Sequence, residues 1–157
     1  MIDTHDAALE TLKADLQNCS KSAAPDEALG LARRYLAVAG EAASREYSNA
    51  LWAGTDCSRN RIASTALADA VLRHSEAAWC VMRVAIGAIN GTGVHKDPVR
   101  ALELLSRPFL DGNVTASYFR AQAHAQLGQD ERRVAELRKA ADGGHQAAIR
   151  ELGGVVS

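Results

Sequence analysis

Residues 77 to 101 change character twice, and that change limits the fold more than any other stretch. Residues 77 to 89 are apolar nearly all round, interrupted only by Arg83 and Gly87. A run of that kind reads as a helix enclosed by others, because it keeps no face for water. Gly91-Thr92-Gly93-Val94-His95-Lys96-Asp97 then breaks the pattern. Two glycines one residue apart permit backbone angles that a Cβ penalises, and Asp97-Pro98 supplies an N-cap followed by proline at the first helical position. The stretch therefore predicts a buried helix, a structured loop and a second helix.

The rest of the chain carries the same helical spacing. Ala8, Leu9, Leu12 and Leu16 form one apolar stripe over residues 4 to about 18, followed by a short linker at residues 20–24. Pro25 with Asp26 and Glu27 makes a first turn whose acidic groups suit a helix N-terminus. Leu29, Ala32, Leu36 and Ala39 continue into Ala43, Tyr47 and Ala50 or Leu51, giving either one helix to about Trp52 or two divided at Gly40. Residues 54–60 are turn formers with two candidate N-caps, Ser58 and Asn60. Beyond them Ile62, Ala63, Ala66, Leu67, Ala70 and Val71 predict an inward face, with Arg59, Arg61, Asp69 and Arg73 on the wet side.

After the loop, Ala101, Leu102, Leu104 and Leu105 face inward until Pro108 bends or ends the helix. Gly112 caps it. A helix over residues 114–127, a tight turn at Gly128-Gln129 with Asp130 as cap, a helix to Asp142 and a short last helix over residues 145–152 complete the reading, with fraying from Gly153 onward. The expected fold is all-α, about seven or eight helices in one domain of 157 residues, with residues 1–75 lacking a clear motif.

Composition narrows the class of function. The chain is 47% hydrophobic and 24% charged, enough for a sizeable core, and its 4% aromatic content favours alanine-rich helix contacts over a β-sandwich. With 18 basic against 19 acidic residues the net charge is −1, which gives no bias toward nucleic acid or an anionic membrane. The acidic start lacks the features of a secretory signal, and no run reaches a membrane span, so a cytoplasmic setting is expected, or a periplasmic one if a leader has been removed. Cys19, Cys57 and Cys80 are odd in number and far apart, which fits small reduced thiols better than a disulfide framework or zinc knuckle.

Chemistry-bearing constellations are scarce. His5, His74, His95, His124 and His145 are isolated, so neither a metal nor any other cofactor is expected. Gly91-Thr92-Gly93 lacks the strand, the G-K-[ST] and the third glycine of a phosphate loop, and no G-x-S-x-G elbow occurs. Arg132, Arg133, Arg138 and Lys139, interleaved with Glu131 and Glu136, read first as a solvated face and otherwise as a contact for an acidic partner, with Arg132 and Glu136 one turn apart and able to pair. Arg83, which interrupts the apolar helix, together with Tyr118 and Gln122, are the candidates for contact with a partner; Trp79 is a further lead, with core as its stronger reading.

Gly112 and Gly144 are 32 residues apart, as are Ala116 and Ala148, an internal period typical of stacked helix pairs. Cys80, Val84, Ala85 and Ala88, then Gly91, Gly93, Val94 and Asp97, then Arg100-Ala101, Gly112 and Ala116 follow the pattern of a known repeat. Lys139-Ala140-Ala141, Gly144 and Ala148 follow it again, with the loop shortened to residues 127–130. On these residues the segment from about 77 to 153 resembles the Sel1-like repeat, a relative of the tetratricopeptide repeat. Leu104 in place of an aromatic, Pro108-Phe109 in place of two alanines, and Arg120 and His124 at apolar positions depart from the pattern. The resemblance implies a right-handed stack of antiparallel helix pairs in which Gly91, Gly93, Asp97, Gly112 and Gly144 are structural hinges. It further implies a bacterial protein-protein adaptor or regulatory binder, not an enzyme, with another protein as partner. An immunity protein occluding a secreted toxin is the alternative, and a small enzyme with a site in the N-terminal half is the competing class.

Overall fold

The computed structural model describes residues 4–19, 24–55 and 57–155, with side chains through residue 153. Among these residues it is all-helical, with nine α-helices and one short 3₁₀ turn. They are α1 (Thr4–Gln17), α2 (Pro25–Ala39), α3 (Glu41–Ala53), α4 (Arg61–Leu72), α5 (Ala78–Asn90), α6 (Pro98–Leu105), α7 (Val114–Gln126), α8 (Asp130–Asp142) and α9 (Gln146–Val155). The chain divides into two compact units, Met1–Lys96 and Asp97–Ser157. The division falls at the end of the loop after α5. Most of the expected linker at residues 20–24 lies outside the described residues.

Gly40 ends α2 and separates it from α3, its φ of 88° being one that a Cβ disfavours. In the first unit α4 is the hub, packed against α2, α3 and α5, while α1 lies on α2. Residues 63–71 of α4 are buried without interruption, so this helix is enclosed all round, as α5 was expected to be. Asp69, read from the sequence as wet, is 3% exposed. The charge of Asp69 suggested the wet side, but α4 is packed by α2, α3 and α5, and Ser64 and Thr65 are buried with it. Leu12, Leu16, Ala28, Ala32, Tyr35, Leu51, Ala63, Ala66, Leu67 and Ala70 make the core.

In the second unit α7 packs on α6 and α8, and α8 on α9. Pro98 opens α6 behind the Asp97 cap, whose Oδ1 accepts from Arg100 N at 3.0 Å, and the helix ends before the Pro108–Leu110 turn. Arg120, an exception to the repeat pattern, is accommodated by hydrogen bonds to Leu105 O at 2.6 Å and Ser117 Oγ at 2.9 Å and by an ion pair with Glu136 at 3.2 Å. Glu136 thus reaches across to α7, and also to Lys139, where pairing with Arg132 was expected. Asp130 is the first residue of α8, one place inside the cap position held by Gln129. α9 runs on through Val155, past the glycines where fraying was expected.

Candidate functional site

Arg45, Asn49 and Trp52 recur at steps of four and three along α3, which sets them on one face. Trp79 and Arg83 sit one turn apart on α5, and Arg61 is the first residue of α4. The three helices bring these side chains together in one row. Arg61 Cζ lies 4.4 Å from the centre of the Trp52 ring, Arg83 Cζ 5.0 Å from Trp52 and 5.6 Å from Trp79, and Arg45 Cζ 6.0 Å from Trp79. Cations and indoles therefore alternate as Arg61, Trp52, Arg83, Trp79, Arg45. Each such contact contributes about 0.5–1 kcal/mol where exposed and about 2 kcal/mol where desolvated.

Arg83 is the anchored centre of this ladder. Its Nη1 donates to Ser48 Oγ at 2.9 Å and Asn49 Oδ1 at 2.8 Å. Beneath it Ser48 and Ser64 clasp α3 to α4, each hydroxyl donating to the other's carbonyl at 2.7 Å. With its proton so committed, Ser48 Oγ is left as the acceptor that Arg83 requires. Burial pulls the Arg83 pKa down, and the like charge of Arg45 adds to that effect. Among the described residues no carboxylate lies within ion-pair distance of Arg45, Arg61 or Arg83. Two of these cations, Arg45 and Arg61, are exposed, while Trp52, Trp79 and Arg83 are half-buried.

Of the sequence candidates, Arg83 belongs to this ladder in the first unit, and Trp79, read as core, stands beside it. Tyr118 and Gln122 belong to the second unit and converge on Glu151 of α9. The Tyr118 hydroxyl donates to Glu151 Oε1 at 2.9 Å, and Gln122 Nε2 donates to the same oxygen at 3.2 Å. Tyr118 also stacks on His145, ring centres 4.4 Å apart. Burial, and then the Glu151 hydrogen bond, raise the Tyr118 pKa. Arg45, Asn49, Trp52 and Arg61 were missed. Arg45, Asn49 and Trp52 share one helix face under either reading of Gly40; what joins Arg61, Trp79 and Arg83 to that face is the packing of α3 and α5 on α4, which spacing along the chain does not carry.

The hinge residues have structural surroundings. Gly91 closes α5 at a φ of 68°, and Gly93, Gly112 and Gly144 also have positive φ, of 75°, 80° and 91°. Thr92 N donates to Gly87 O at 3.0 Å, folding the loop back on α5.

A groove of about 600 Å³ lies among Arg33, Leu36, Ala37, Gly40, Glu41, Val71, Arg73 and His74. Its walls carry no thiol or hydroxyl. Cys57 packs instead against the core of the first unit. All three cysteines are free thiols; Cys80 is buried, its Sγ donating to Ala77 O at 3.1 Å, and burial foremost pushes its pKa up, away from thiolate chemistry. Among the described residues no group of three or more His, Cys, Asp or Glu side chains is placed to hold a metal ion, and no helix is long and apolar enough to cross a membrane. In comparisons with family models, curated proteins and solved structures, nothing matches the chain.

Proposed function

We propose that the chain is a protein-binding helical module, an adaptor or regulatory binder, and that its contact surface is the ladder face of α3, α4 and α5. The observation that carries this reading is the set of three guanidiniums held on two indoles, with no carboxylate of the described residues within ion-pair distance. Tryptophan and arginine are the side chains that most often dominate binding energy at protein interfaces. Arg83 is already fixed by Ser48 and Asn49, so little rotamer freedom remains to be lost on association. The proposed role needs no catalysis.

The Sel1-like reading of residues 77–153, with its right-handed stacking, belongs to the same proposal. Its support is local: helices alternate with short connections over α5 to α9, and Gly91, Gly112 and Gly144 stand at positive φ where the repeat pattern has glycine. The test is site-directed photo-crosslinking in the native host, with the photoreactive residue in place of Asn49. A single stoichiometric partner crosslinked there, and not from a position on the outer face of α1, is expected. A monomer that crosslinks nothing and co-purifies with a metabolite would overturn the reading in favour of a small-molecule site.

A further inference from the structure

We infer that the segment docking on this ladder is rich in carboxylates, an acidic stretch of a partner protein whose side chains take the donors that Arg45, Arg61 and Arg83 leave open. The inference rests on the protein-binding reading above and adds the chemistry of the partner. A guanidinium has five N–H donors in a fixed fork suited to a carboxylate. Arg83 spends only Nη1 inside the described protein, on two neutral acceptors. Arg45 and Arg61 make ring contacts alone among the contacts of the described residues. Charges of one sign gathered without a counter-charge repel one another, and an incoming anion relieves that repulsion at three positions together.

The indoles make this surface selective for carboxylates over nucleic acid. Single strands bind by stacking bases on open aromatic faces along an extended basic track. Here both rings already carry guanidiniums, and the row holds three cations, short for such a track. A guanidinium over an indole keeps its charge and its N–H donors, so one held there can still take a planar acceptor. Three arginines in one row suit a segment with several acidic residues better than a single chain terminus.

The chain contains two tryptophans, and both are in the ladder, so all tryptophan emission reports on this surface. The full chain is titrated with a glutamate-rich peptide and with its glutamine counterpart, following that emission. A saturable change with the glutamate peptide is expected, with binding of the glutamine peptide at least roughly tenfold weaker. Arg45→Gln and Arg61→Gln alter exposed side chains, so helicity measured by circular dichroism stays as in the parent while affinity falls roughly three- to tenfold for each. Equal response to both peptides, or no response to either, overturns the inference. Tighter binding of oligothymidylate than of the glutamate peptide overturns it in favour of nucleic acid. A partner crosslinked at position 49 together with silence toward the glutamate peptide leaves protein binding standing and removes the carboxylate specificity alone.

Discussion

Asn60 shows how much one side chain can do at a junction of helices. Its Oδ1 accepts from Ala63 N at 3.0 Å and caps α4, while its Nδ2 donates to Leu16 O, Gln17 O and Cys19 O at 3.3, 3.1 and 2.7 Å, serving carbonyls at the end of α1. Asn60→Asp keeps the cap, and the helix dipole favours the new charge. It also turns an acceptor toward three carbonyl oxygens. The balance is expected to be destabilising by about 1–3 kcal/mol, read as a lower denaturant midpoint. Equal stability of the two proteins would mean that the Nδ2 bonds carry nothing. The cap was legible from the turn formers around it. The second half of the role was not, because the α1 carbonyls are distant in sequence. Tyr47 has a comparable double life, donating its hydroxyl to Lys13 O at 3.0 Å, with burial foremost pushing its pKa from 10.0 to about 12. The folded state therefore favours the neutral phenol. Its contribution is complete below pH 10 and is lost as the pH climbs toward 12. Melting temperature is expected to fall more steeply across that window in the parent protein than in Tyr47→Phe, and parallel curves would contradict the assignment.

At the level of elements, the loop after α5 is held against α4 by closeness that only glycine allows. A Cβ on Gly93 would run into Ile62 O and come within 2.9 Å of Thr65 Cβ, and one on Gly87 would meet Thr92 O at 2.8 Å. Gly112 has a similar positive φ of 80° with open space where its Cβ would be. The pair separates two effects. Gly112→Ala is expected to cost the left-handed strain alone, about 1 kcal/mol, whereas Gly93→Ala adds a backbone clash and is expected to cost about 3 kcal/mol or more. Thermal or urea unfolding of the two variants decides it: equal losses would show that conformational freedom, not proximity, selects glycine at position 93. That this loop is structured was readable from Gly91, Gly93 and Asp97-Pro98. What it packs on was not, since Ile62 and Thr65 belong to a helix whose full enclosure the pattern concealed. Hydrophobic spacing registers Ala63, Ala66, Leu67 and Ala70, but it gives no weight to Ser64, whose hydroxyl is satisfied by Ser48 across the contact. Small polar residues that pair with one another look like surface until their partner helix is known.

For the molecule as a whole, the charge total and the charge arrangement give different information. The total of −1 carries no bias toward nucleic acid or an anionic membrane, and beyond a Debye length of about 8 Å such a chain has little field to attract an anion. Close to the ladder the situation reverses, because three guanidiniums act together there and acidic residues elsewhere cancel them only in the sum. Long-range order of this kind depends on which helices meet, so Trp79 and Arg83 could be singled out on α5 while Arg45, Trp52 and Arg61 could not be joined to them. A consequence follows for binding of the glutamate peptide. Without a long-range field its association rate is ordinary, yet its affinity depends on short-range ion pairs and is expected to weaken roughly three- to tenfold between low salt and 0.5 M salt. Arginine keeps its charge throughout the neutral range, so affinity is expected to stay flat between pH 6 and pH 9 after allowance for the peptide's own carboxylates. Measuring the salt dependence in the variants as well distinguishes the ladder from the groove that contains Arg33 and Arg73. Salt-sensitive binding retained at full strength in both Arg45→Gln and Arg61→Gln would assign the anion to Arg33 and Arg73 instead.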